Sequence, residues 1–130
     1  MRTKTLQHRG FTLIELIVVL AIIALLVSIV APRYYRGVDT AREATLRTSL
    51  NVMRDAIDKF VADKGRYPDS LDDLVDKGYI RQIPLDPITG RSDSWQMLPP
   101  PADGAVSGGM GDVRSGAAGK GQDGSDFSNW

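Results

Sequence analysis

Apolar residues follow two different patterns along this chain. From Phe11 to Ala31 they are continuous, broken only by Thr12, Glu15 and Ser28. About 20 such residues span the hydrocarbon core of a bilayer as one helix. From Val38 to Phe60 they recur at three- and four-residue steps: Val38, Ala41, Thr45, Leu46, Ser49, Leu50, Met53, Ile57 and Phe60. That spacing predicts an amphipathic helix with one apolar stripe. Opposite the stripe lie Asp39, Arg42, Glu43, Arg47, Arg54, Asp55, Asp58, Lys59 and Asp63. They read as a solvated face, with Glu43–Arg47 and Asp55–Lys59 as i,i+4 pairs in the better orientation. A face of that kind also suits a neighbouring copy in an assembly. Pro32 and Gly37 lie between the two patterns and weaken a helix, by roughly 3 and 1 kcal/mol against alanine in an isolated interior. Pro32 should kink the helix or melt a turn.

Beyond Lys64 the punctuation changes. Gly65 ends the helix and Tyr67-Pro68 turns the chain. Ser70 is placed to cap a short second helix, with Asp72 and Asp73 in its positive first turn. Leu71, Leu74 and Val75 form its buried side and Gly78 its stop. The stretch "IPLDPITG" reads as a loop with a short extended piece at Ile83. Ser94 to Leu98 reads as a strand, with Trp95 and Met97 on one face and Gln96 and Leu98 on the other. Trp95 reads as a core anchor. Eight of the thirteen glycines fall between Gly104 and Gly124. Composition alone suggests a flexible tail there. Against that stand a short strand around Val113 and the closing "DFSNW", whose two aromatics would be wasted in a disordered end.

Composition narrows the chemistry. The chain has 130 residues, enough for one small domain. Sixteen basic and sixteen acidic residues cancel, so nothing draws it to nucleic acid. With Arg2, Lys4 and Arg9 of residues 1–10 set aside, 13 basic face 16 acidic residues, a net of −3. There is no cysteine, and His8 is the single histidine. Disulfides, thiolate chemistry, a catalytic triad and a multi-histidine metal site are therefore excluded. No phosphate loop or nucleophile with its base is present, so the chain reads as a non-enzyme. The basic flank before the apolar run leaves residues 1–10 in the cytoplasm by the positive-inside tendency.

Glu15 is the one acid in the apolar run. Charges in membrane segments cost on the order of 2.5–3.5 kcal/mol at the centre, less near an end, and usually have a partner. A carboxylate snorkelling to the headgroups is one reading. A signal peptide is a poor one, because the run is too long and "APRYYRG" makes a weak cleavage site. The stretch "RGFTLIEL" supplies another. It resembles the class III leader junction of type IV pilins and type II secretion pseudopilins. The resemblance implies cleavage after Gly10 by a prepilin peptidase and N-methylation of the new terminus, Phe11. It implies too that Glu15 pairs with the Phe11 amino group of a neighbouring subunit. In a low-dielectric setting such a pair is strong and an unpaired acid is penalised, so Glu15 becomes an assembly register.

The stretch "GRYP", then "LDDLVDKGYIRQIPLDPITG", then the tryptophan, resembles the head of major pseudopilins. The resemblance thus covers most of residues 9–98 and, more loosely, the last fifteen. It implies a pilin-like α+β fold: a long N-terminal helix, transmembrane in its first half, and a small head of a short helix and a small antiparallel sheet. The expected organisation is residues 1–10 as leader peptide, 11–31 as the transmembrane and filament-core helix, 32–64 as its amphipathic continuation, and 65–130 as the head. Pilin-like subunits carry a proline at the place of Pro32, with an extended stretch just before it in filaments.

Oxygen-rich glycine loops suit calcium, which takes six to eight oxygen ligands in irregular geometry. In the tail, Asp112, Ser115, Asp123, Ser125 and Asp126 offer such oxygens, although acids in glycine loops usually face water. Major pseudopilins often hold one calcium in a C-terminal loop, and Ser115-Gly116-Ala117 and Asp126-Phe127-Ser128-Asn129-Trp130 match that loop. The resemblance implies Ca2+ at Asp123 and Asp126, with Ser115 and Ser125 as weaker ligands. Ala118 stands where the loop aspartate usually is. The implied function is a structural subunit of a periplasmic pseudopilus, single-pass in a bacterial inner membrane, N-terminus cytoplasmic and head periplasmic. Implied partners are further copies of the chain in a helical filament, minor pseudopilins, the prepilin peptidase, and an inner-membrane platform with its ATPase. The alternatives are a type IV pilin in adhesion, motility or DNA uptake, and a monomeric membrane-anchored calcium-binding module.

Overall fold

A computed structural model of the chain describes every residue except Met1, Leu6 and Ala105. One helix, α1, runs from Leu13 to Lys64, 52 residues without interruption. It passes through Pro32, so no turn is melted there. Proline has no amide hydrogen, and the ladder bond to the carbonyl four residues back, at Ser28, is missing for that reason. Gly65, at a φ of 68°, ends the helix, and its amide donates to the Val61 carbonyl. The chain falls into two compact units, Met1–Val38 and Asp39–Trp130.

The second unit has its own core. Leu46, Leu50, Met53, Ala56, Ile57 and Phe60 are the buried stripe of α1. The expected stripe is thus right from Leu46 onward, while Ala41 and Thr45 are exposed. Leu71, Leu74, Ile80, Trp95, Met110, Val113, Ala117 and Phe127 complete the cluster. Helix α2 spans Leu71–Asp76. Ser70 is its N-cap residue, but its side chain makes no capping bond. Asp73 instead ties the approach to the helix: its carboxylate accepts from the Asp69 amide, before the cap, at 3.2 Å and pairs with Arg66 at 3.4 Å.

Two short strands, β1 (Gln96–Leu98) and β2 (Asp112–Arg114), pair antiparallel, with Met97 opposite Val113. The strand at Val113 is where the sequence puts it; β1 is shorter than Ser94–Leu98. Trp95 is buried and its indole donates to the Pro84 carbonyl at 2.8 Å, as a core anchor does. Met97 is half exposed, so strict alternation does not carry through three residues. No strand forms at Ile83. A 3-10 turn, Phe127–Asn129, closes the chain. The architecture is α+β.

The glycine-rich tail is woven into the head. Tyr67 donates to the Ser107 carbonyl at 2.8 Å, Met110 to Pro68 at 2.9 Å and Gly111 to Leu98 at 2.8 Å. Close approach requires several glycines of the tail, Gly109 and Gly116 among them. A side-chain carbon at Gly109 would lie 2.6 Å from the Asp69 carbonyl oxygen, and one at Gly116 would collide with that of Ser94.

Candidate functional site

Two groups of residues carry the candidate functions. The first is the start of α1. Gly10 and Phe11 are exposed, Phe11 at 89 %. No heavy atom lies within 4 Å of where a side chain at Gly10 would begin, so this chain's own fold makes no demand for glycine there. The large apolar residues from Leu13 to Val30 are all exposed, none finding cover among the described residues. Among the described residues, α1 is the helix long and apolar enough to cross a membrane.

Glu15 has a local partner that composition and hydropathy do not reveal. The Glu15 amide donates to Thr12 Oγ1 at 3.2 Å, and the Thr12 amide donates to Glu15 Oε2 at 3.3 Å. These reciprocal bonds form a capping box, and they satisfy two amides that a helix start leaves without partners. The signal for it, threonine followed three positions later by glutamate, stands in "FTLIEL". The carboxylate therefore serves its own helix in the single chain through Oε2, and its second oxygen can accept from a neighbour's amine without breaking that bond.

The second group joins the charged side of α1 to the tail. Arg54 donates to Asp112 Oδ1 at 2.9 Å, to the Val113 carbonyl at 3.0 Å and to the Trp130 carbonyl. Two turns earlier, Arg47 pairs with Asp123 at 3.4 Å and lies over the Trp130 ring, 4.0 Å from its centroid. The Trp130 indole donates to Ser125 Oγ at 2.6 Å, and that hydroxyl donates to Asp123 Oδ1 at 2.6 Å. The Ser125 amide donates to the same oxygen at 3.0 Å. Hydrogen bonds from Ser125, and then the Arg47 charge, hold the Asp123 carboxyl below the usual carboxylate range. Glu43 accepts from the Gln122 amide at 2.7 Å. Part of the face expected to meet water thus holds the tail, and Glu43 and Arg47 serve the tail rather than each other.

The four tail residues proposed as calcium ligands are not all brought together. Ser115 is fully buried and donates to Asp86 Oδ2 at 2.5 Å. Asp86, itself fully buried, accepts at its other oxygen from the amides of Ile88 and Thr89, at 2.8 and 3.3 Å. Asp123 and Ser125 share one turn, bonded to each other and to Arg47. Asp126 sits in a backbone bridge opposite Lys120. Among the described residues, no group of three or more acidic or histidine side chains could hold a metal ion. With Ser115 committed to Asp86, and Asp123 to Ser125 and Arg47, these side chains do not fit a calcium cage of six to eight oxygens.

Comparison with known proteins agrees with the first group. Residues 6–31 match the family model described as the prokaryotic N-terminal methylation motif. A type II secretion system core protein G of Klebsiella michiganensis is 31 % identical over 95 % of this chain and 94 % of its own length. The chain belongs to the type II secretion system core protein G family. The Pseudomonas aeruginosa core protein G is 31 % identical over 75 % of this chain and 78 % of its own. The type IV major pilin PilA of Myxococcus xanthus is 34 % identical, over 52 % of this chain and 31 % of its own length. No solved structure matches. Membership of the core protein G family accounts for the apolar start of α1 and for the small α+β head together, whereas the pilin similarity reaches only half the chain.

Proposed function

We propose that this chain is a structural pseudopilin, built into the periplasmic pseudopilus of a type II secretion system. The peptidase removes residues 1–10 after Gly10, and Phe11 becomes the methylated terminus. Residues 11–31 hold the subunit in the inner membrane, with the head in the periplasm, and then pack against the same segment of other copies. The growing filament drives export of folded proteins. Minor pseudopilins, an inner-membrane platform and its ATPase complete the machine. The chain itself contributes shape and register, not catalysis.

One observation carries this reading: the helical surface from Leu13 to Val30 has no cover among the described residues, and it lies within the matched methylation motif with a single acid near its start. Apolar surface of that extent is stable only in lipid or against other apolar helices. The pilin reading has less support, since the similarity behind it is confined to half the chain. The test is mass spectrometry of the N-terminus in producing cells, combined with crosslinking through single cysteines placed in residues 16–30. A chain starting at N-methylated Phe11 and a ladder of oligomers are expected. A retained leader with crosslinks only to monomer would overturn it. Gly10→Val should slow processing about 10²-fold by misplacing the scissile bond. It should leave the melting temperature of the head unchanged, because space is open at Gly10.

A further inference from the structure

We infer that two arginines of α1, Arg47 and Arg54, perform in this head the structural work of a bound divalent cation, so that the tail folds without calcium. Tying a glycine-rich segment against a helix calls for fixed positive charge aimed at carboxylates and carbonyl oxygens. A calcium ion supplies that charge with six to eight oxygens around it. Here the same classes of ligand converge on guanidinium groups. Arg54 engages one carboxylate, that of Asp112, and two backbone carbonyls, those of Val113 and Trp130. Arg47 engages the second carboxylate, that of Asp123, and covers the Trp130 ring.

The two arginines are seven positions apart, so they project from nearly the same side of the helix. Arg54 is the half-buried one, its side chain 32 % exposed, while Arg47 is 57 % exposed. Guanidinium suits the task, because its planar fork reaches several acceptors at once and stays charged at every working pH. Ala118 fits the same account. Its exposed side chain offers no oxygen, so the loop has no carboxylate at that position for a metal. Gly121 fits too: a side chain there would collide with the Trp130 ring, so the loop lies flat against the aromatic that Arg47 covers. The arrangement makes the subunit, and any filament built from it, indifferent to calcium and sensitive to these two side chains.

The test uses the full chain in detergent micelles, followed by thermal unfolding of the head in calcium chloride and in EDTA. The wild-type melting temperature should agree within about 1 °C between EDTA and millimolar calcium, since a ligand stabilises only what it binds. Arg54→Ala should lower it by about 8–15 °C in both conditions, by leaving Asp112 and two carbonyls without their donor. Arg54→Lys, whose compact ammonium lacks the planar fork that spans these separated acceptors, should lower it by about 4–8 °C and carries the test if the alanine variant does not fold. Arg47→Ala should cost about 2–4 °C, as an exposed pair with a ring contact does. A wild-type rise of several degrees with calcium would overturn the inference. So would Arg54 variants that melt with the wild type.

Discussion

One helix meets two environments in this molecule. Between Leu13 and Val30 every large apolar side chain is exposed; between Leu46 and Phe60 six residues are buried. Backbone and secondary structure are the same in both stretches. The difference lies in the sequence pattern. A continuous apolar surface has no polar side to turn to water, so it needs a solvent or a partner that is apolar all round. A stripe needs only a cover, and the chain brings its own in α2, the two strands and the tail. The first stretch is therefore an element of assembly and the second an element of folding.

The sharpest way to break that contrast is to damage one side and read the other. Phe60 is fully buried and packs against the Tyr79 ring at 5.2 Å. Phe60→Ala should cost about 3–5 kcal/mol of head stability, seen as a large fall in melting temperature. Membrane insertion, measured by extraction of intact membranes, should be unchanged. Loss of insertion would mean that the two stretches are not independent.

The next effect concerns the other side. Glu15→Gln keeps the capping-box geometry, since glutamine serves at that position, but it removes the charge. Helix content in micelles should not change. The crosslinked ladder should weaken at least about tenfold if the carboxylate pairs with a neighbour's amine, because one end of a buried pair is then lost. A normal ladder would assign Glu15 to its own helix alone.

The smallest effect is a pH dependence confined to the head. The Asp123 carboxyl titrates below its ordinary value, chiefly through Ser125 and then Arg47. Its stabilising part is therefore complete above the ordinary carboxylate range and is lost as pH falls below it. Asp123→Asn should remove that acid-side slope and lower stability slightly at neutral pH. An identical acid limb in both proteins would deny Asp123 a share in holding the loop.

Much of this was legible in residues 1–64. A continuous run, a three- and four-residue stripe and a methylation motif are local patterns, and local patterns can be read before the chain is folded. The spacing of Thr12 and Glu15 carried the cap as well, but the apolar run around Glu15 turned the reading to partners elsewhere. The role of Arg54 was not. A charged helical face looks the same whether it meets water or a segment 58 to 76 positions away. Asp86 was hidden for a related reason: "DPITG" announces a turn, but the burial of its carboxylate depends on Ser115, 29 residues later. The separation of the four oxygen donors of the tail was not legible either, because closeness in sequence is not convergence in space. Ser115 faces Asp86 while Asp123 faces Arg47.

The glycines of the tail have a practical side. At Gly109, Gly111 and Gly116 one stretch of main chain rests directly on another, against Asp69, Pro100 and Ser94. An epitope or dye attached in that span would wedge these sheets of backbone apart. Engineers wishing to watch the molecule at work should mark the outward-facing Asp58 or Lys59 instead.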